Sequence, residues 1–190
     1  MIALPVRQRL AVACLFGILS FAVPHAHAAA QAGAGAPSGA QAATTQTGPS
    51  GLPLPRFVSL KSDRINVRAG PGQDHRVAWI FAKAGLPVEI IAEYENWRRI
   101  RDSEGAEGWI FHSLLSGRRT AVVAPWSEED TLALRRNPGQ NGGLAALVEP
   151  KVLVDLNKCD GTWCRVTVNG VSGWISQEML WGVYPREIVE

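Results

Sequence analysis

Neither positive nor negative charge predominates in this sequence. Its 190 residues carry 19 Lys+Arg against 17 Asp+Glu, and no basic run or acidic tail appears. Nucleic acid is held through phosphates by clustered Lys and Arg, so no electrostatic footprint for it is present. Histidine and cysteine are scarce, at four and three residues. A structural zinc site needs four such ligands at paired spacing, which this chain does not offer. No Ser nucleophile elbow, no His-Glu-x-x-His and no Lys-bearing phosphate loop occurs. The Gly-rich stretch Arg68-Ala69-Gly70-Pro71-Gly72 lacks the strand-to-helix context of a phosphate site and reads as a turn. No metal and no cofactor is therefore expected. With 46% hydrophobic residues, the composition still supplies a core, and the length allows one domain or two small ones.

The N-terminal stretch has the three parts of a secretory signal. Arg7 and Arg9 precede an apolar run from Leu10 to Val23, and Ala26-His27-Ala28 is a small-x-small cleavage site. The run of about 14 residues is short for a membrane span, which needs about 20. Cys14 follows only four residues of that run, too early for a lipoprotein box. Residues 1–28 are expected to be removed after Ala28, leaving a mature chain without a membrane span, in the periplasm or secreted. Removal subtracts two Arg and no acid from 19 and 17, so the mature chain is balanced at 17 and 17. Cys159 and Cys164 remain, with His75 and His112.

Residues 29–55 contain Ala, Gly, Gln, Thr, Ser and Pro, with two Leu and neither charge nor aromatic ring. Such a segment buries too little apolar surface to offset the entropy of ordering, and it is expected to be a disordered tether. All seven Trp lie beyond it.

The region beyond repeats itself. Residues 65–72 read Ile-Asn-Val-Arg-Ala-Gly-Pro-Gly and residues 132–139 read Leu-Ala-Leu-Arg-Arg-Asn-Pro-Gly, which aligns Arg68, Pro71 and Gly72 with Arg135, Pro138 and Gly139. Trp97-Arg98-Arg99-Ile100 answers Trp163-Cys164-Arg165-Val166, and Gly108-Trp109-Ile110 answers Gly173-Trp174-Ile175. Two modules are expected, over 56–124 and 125–190, with Glu128-Glu129-Asp130 solvating the linker. Short β-rich runs between Gly, Pro, Asn and Asp favour an all-β meander or small barrel for each.

Asn169-Gly170 between Val168 and Val171 is a type I′ hairpin signal and fixes a register. Val166 then faces Gly173, Arg165 faces Trp174 and Cys164 faces Ile175. Because side chains alternate along a strand, Cys164, Val166, Val168, Val171 and Ile175 should point inward. Trp163, Arg165 and Trp174 should share the outer face. In the first copy the inward pair is Ile100 and Ile110, and Trp97, Arg99 and Trp109 form the outer group. An Arg between two Trp has two uses. It can stack on the rings and cover the flank of a small barrel. It can also anchor a ligand, since Trp and Arg dominate binding hot spots. Trp126, Trp181 and Tyr184 offer a third use of aromatic surface, packing of one module on the other.

Two cysteines in an exported chain read as a disulfide, here across Asp160-Gly161-Thr162-Trp163. The first copy has Glu93 and Arg98 at those positions. A Cys nucleophile would need His112 or His75 as its base. The counterpart of His112 in the second copy is Gln177, which argues against a duplicated catalytic group.

The motif Asn66-Val67-Arg68-Ala69-Gly70-Pro71-Gly72, with Trp97, Arg99-Ile100, Gly108-Trp109-Ile110 and Leu114-Leu115, resembles the bacterial SH3-like (SH3b) domain family. The second copy departs at Ala133 and Asn137 but keeps Leu134-Arg135, Pro138-Gly139, Trp163 and Gly173-Trp174-Ile175. Cys159 and Cys164 around Asp-Gly-Thr-Trp resemble a variant of it. The resemblance implies an all-β chain of two tandem small SH3-like barrels, each five- or six-stranded and strongly bent. It also implies a binding module for cell-wall peptides or another envelope ligand. Three classes follow: a non-catalytic wall-binding protein, an interaction subunit of an envelope complex, and a cell-wall hydrolase. The residues speak only against the last. Ligand contacts are expected from Trp97, Arg99, Trp109, Trp163, Arg165 and Trp174, with Arg99 and Arg165 on ligand carboxylates.

Overall fold

A computed structural model of the chain describes residues 46–190. The expected signal peptide, its cleavage site and residues 29–45 of the expected tether lie outside the described residues. Among the described residues, no helix is long and apolar enough to cross a membrane.

The chain begins with a hairpin of β1 (Gln46–Thr47) and β2 (Pro53–Leu54). The first module holds β3 (Arg56–Leu60), β4 (Ile65–Arg68), β5 (Val77–Phe81), β6 (Pro87–Tyr94), β7 (Trp97–Arg101), β8 (Glu107–Phe111) and β9 (Leu115–Ser116). The second holds β10 (Thr120–Val123), β11 (Leu132–Arg135), β12 (Leu144–Val148), β13 (Leu153–Asp160), β14 (Trp163–Val168), β15 (Val171–Ser176) and β16 (Leu180–Trp181), followed by β17 (Ile188–Val189). The two sheets run β5-β4-β8-β7-β6-β3-β9 and β12-β11-β15-β14-β13-β10-β16, with β17 added to β13. The second order repeats the first strand for strand, so the tandem all-β architecture read from the sequence is what forms. Neither path of hydrogen bonds closes, and each expected barrel is an open sheet.

Both sheets are bent by irregularities in register at matching places. One lies between Val67 and Arg68 and recurs between Leu134 and Arg135; another lies between Ile90 and Ala92 and recurs between Leu156 and Lys158. An extra residue in one strand kinks it and sharpens its twist, wrapping each sheet around its own core. Ile65, Val67, Ile100 and Ile110 are buried in one core, and Leu134, Val154, Val166 and Ile175 in the other. The repeated Gly-Trp-Ile motif has a packing cause. A Cβ at Gly108 would stand 2.4 Å from Val67 Cγ1, and one at Gly173 would stand 2.8 Å from Leu134 Cβ. Only glycine lets these strands approach so closely.

Two boundaries differ from expectation. The limit placed at 124/125 cuts off β10, which pairs with β13 and β16 and so belongs to the second sheet, as β3 does to the first. The expected tether also ends early. Its last residues form the β1–β2 hairpin, and Ser50 donates from its backbone N–H and its hydroxyl to Glu93, each at 2.8 Å.

The hairpin register around Asn169-Gly170 is as read, from Val168 opposite Val171 to Cys164 opposite Ile175. Val171, expected inward, is 44% exposed, because the hairpin tip overhangs the core.

Cys159 and Cys164 face each other across β13 and β14 and are joined as a disulfide. Asp160 organises the turn between them, accepting from the backbone N–H groups of Trp163 at 2.8 Å and Thr162 at 2.9 Å. Those bonds hold the Asp160 carboxyl below its ordinary range. Closing so short a loop is expected to contribute about 2 kcal/mol by restricting the unfolded chain. Urea unfolding with and without reductant measures this, and equal midpoints would refute it. In the first module, Glu93 and Arg98 occupy the matching pair and form an ion pair at 3.2 Å. An electrostatic staple thus stands where the second module has a covalent one.

Candidate functional site

The six expected ligand residues do not converge on one place. Trp109 lies opposite Arg68 and Arg99, and Trp174 lies opposite Arg135 and Arg165. Each sheet therefore carries a cross-strand Arg–Trp–Arg row, with a second Arg beyond the one read from the sequence. Trp97, expected on the outer face, is only 9% exposed and packs edge-on against Phe111, with ring centroids 5.5 Å apart. Arg99 pairs with Glu107 at 2.7 Å. The counterpart of Glu107 is Ser172, and no ion pair of Arg135 or Arg165 occurs among the described residues.

Trp163 sits elsewhere. It lines a cleft of about 910 Å³ with walls from both modules. Phe57, Glu89 and Arg101 come from the first, and Trp126, Trp181 and Tyr184 from the second. The aromatic residues named from the sequence as an interdomain contact divide here. Trp181 and Tyr184 pack on Phe57 at centroid distances of 5.2 and 4.7 Å, while Trp126 is 58% exposed on the rim. The Tyr184 hydroxyl donates to buried Glu89 at 2.9 Å, and Arg101 approaches the same carboxylate at 3.5 Å. Burial first, and then the bond to Glu89, push the Tyr184 phenol far up, so it stays a donor across the working pH range. The Thr120 hydroxyl donates to the Gly85 carbonyl at 2.7 Å as a second clasp between the modules.

The far wall is the turn after β16. Arg119 grips it, donating to Glu187 at 2.6 and 3.1 Å and to the Gly182 carbonyl at 3.0 Å. Gln177 donates to the carbonyls of Tyr184 and Glu187 at 2.6 and 3.0 Å. Its Oε1 and the indole N–H of Trp181 are buried without a partner. Arg186, in the same wall, holds a left-handed backbone with φ of 62°. Unmet polar groups and a strained backbone are features that gather at binding sites.

A smaller hollow of about 270 Å³ lies in the first module between Arg64, Arg68, Gln73, Trp97 and Phe111. It matches the second-module part of the cleft, since Gln73 follows Pro71-Gly72 as Gln140 follows Pro138-Gly139. The difference is the residue across from the tryptophan. Trp97 faces Phe111, but Trp163 faces Ser176. A ring narrows the space in one copy, and a hydroxymethyl leaves it wider in the other.

The residues lining the cleft include no histidine and no cysteine. Among the described residues, no cluster of three His, Cys, Asp or Glu is placed to hold a metal. What the site offers is aromatic surface, hydrogen-bonding groups and charges of both signs.

The model of the bacterial SH3 domain family matches residues 61–117 and 128–182. The chain belongs to that family and carries two copies of its domain. No curated protein sequence matches the chain. Among solved structures, it is similar to NlpC2 from Trichomonas vaginalis, with 15% identity and a TM-score of 0.31, covering 67% of this chain and 48% of that one. It is also similar to an NlpC/P60 family protein from Bacillus cereus, with 12% identity and a TM-score of 0.29, covering 66% and 55%. The chain thus spans about half the length of those structures.

Proposed function

We propose that this chain is an exported, non-catalytic binding protein of the cell envelope whose ligand is a peptide of the cell wall. The signal-like residues 1–28, with cleavage after Ala28, direct it to the periplasm or beyond, where Cys159–Cys164 persists oxidised. Membership in the bacterial SH3 domain family supports a wall-binding role. The observation that carries the reading is the aromatic cleft built jointly by the two modules. Its size lies at the upper end of the range for specific ligand pockets. It is equipped to hold a ligand with aromatic rings and charges of both signs.

A pull-down of the oxidised mature protein with purified sacculi tests the reading. Saturable binding is expected. Failure of folded protein to sediment with sacculi would reject the wall as ligand and favour the interaction-subunit reading, to be followed by cross-linking in the envelope.

A further inference from the structure

We infer that the chain has one composite ligand site, the cleft between its modules, which takes a single extended zwitterionic peptide segment. This rests on the wall-binding reading above and goes further, assigning the site, its stoichiometry and the class of its ligand.

The duplicated sequence invites the expectation of two equivalent sites, yet the copies have diverged at the position that decides. Phe111 packs edge-on against Trp97, which is nearly buried, and the first groove is only about 270 Å³. Ser176 stands at the matching place in the second module, where Trp163, partly exposed, lines the cleft. The second groove then runs on along residues of both modules, past Phe57 and the Trp181 and Tyr184 rings packed on it. The first module is therefore a wall of the site rather than a second binder. Two ligands per chain, with the avidity that linked sites bring, are not expected.

The lining also selects the ligand class. Glu178 and Arg186 border the cleft with opposite charges. Among the described residues, Glu178 accepts a bond from the Ser176 hydroxyl at 3.2 Å and has no ion pair, and Arg186 has no ion pair. A ligand bearing both an ammonium and a carboxylate satisfies both ends, which a neutral glycan does not. The indole N–H of Trp181 and Oε1 of Gln177, both buried without a partner, add a donor and an acceptor on two residues that line the cleft.

The test is calorimetric titration of the oxidised mature protein with soluble peptides released from purified sacculi by amidase. One equivalent per chain is expected. Ser176→Phe rebuilds the first module's stacked pair in the second and is expected to weaken binding at least about tenfold, as loss of a hot spot does. Trp126→Ala, at an exposed rim position, gives the same direction without threatening the core. Two equivalents per chain, or unchanged affinity in both variants, would overturn the composite site while leaving wall binding intact. Binding to intact sacculi but not to released peptides would overturn the ligand class. Binding to neither would remove the wall-binding reading and this inference together.

Discussion

Phe57→Ala is expected to destabilise the protein by about 3–5 kcal/mol, the range for removing a buried aromatic ring. Phe57 is 8% exposed and lies between Trp181 and Tyr184, so truncation opens a hole in the seam rather than in either core. Each module has its own buried cluster. The seam contacts are expected to make the two unfold as one. Once Phe57 is lost, water reaches the Tyr184–Glu89 bond and the coupling fails. Calorimetry should then resolve two transitions where a single one is expected of the parent, and the proposed affinity for wall peptides should fall with them. A single transition at an unchanged temperature would show that the seam contributes nothing. Phe57→Leu, which keeps most of the volume, should lie between the two.

Glu93→Ala should rank with it, at about 3–5 kcal/mol, because it strands two cations in partial burial. The Glu93 side chain is 1% exposed and receives Arg56 at 2.6 Å and Arg98 at 3.2 Å, besides the two bonds from Ser50. Burial raises its pKa, but the bonds from Arg56 and Ser50 outweigh burial and bring it to about 2. A folded value below the unfolded one stabilises the fold above the unfolded pKa, and that stabilisation fades as pH falls through the folded one. The window therefore runs from about pH 4.5 down to 2. The gap is equivalent to about 3 kcal/mol. Unfolding free energies measured at pH 6, 4 and 2.5 should show this loss, and Glu93→Gln should flatten the slope. An equally steep acid limb in Glu93→Gln would assign the loss to other carboxylates.

The parts of the fold legible in the sequence are those set by local chemistry. Asn169-Gly170 fixes a turn, the turn fixes the register, and the register places Cys164 opposite Ile175 and Arg165 opposite Trp174. The recurrence of Gly108-Trp109-Ile110 at Gly173 follows from strand crossings with no room for a Cβ. The start of the second module was hidden because β3 and β10 share no motif, Arg-Phe-Val-Ser-Leu in one and Thr-Ala-Val-Val in the other. The β1–β2 hairpin was hidden because its few apolar residues give no strand signal. A distant carboxylate, Glu93, holds it in place. Trp97 and Trp163 are alike in sequence and differ in surroundings through one cross-strand partner, Phe111 or Ser176. The cleft was beyond reach for a different reason. Its walls combine residues as far apart as Phe57 and Arg186, and no pattern along one module encodes how it meets the next.

The outer attachments of the two modules have a mechanical consequence. Hairpin β1–β2 and strand β17 are pairings only two residues long, laid against sheets of seven continuous strands. On the proposed wall-binding role, the chain is loaded whenever the wall stretches. Tension applied at Gln46 meets the short hairpin and the Glu93 cluster before it reaches β3, and tension applied at Val189 peels β17 from a strand already locked by Cys159–Cys164. The short pairings should yield first and lengthen the chain at low force, leaving the cleft between the modules intact.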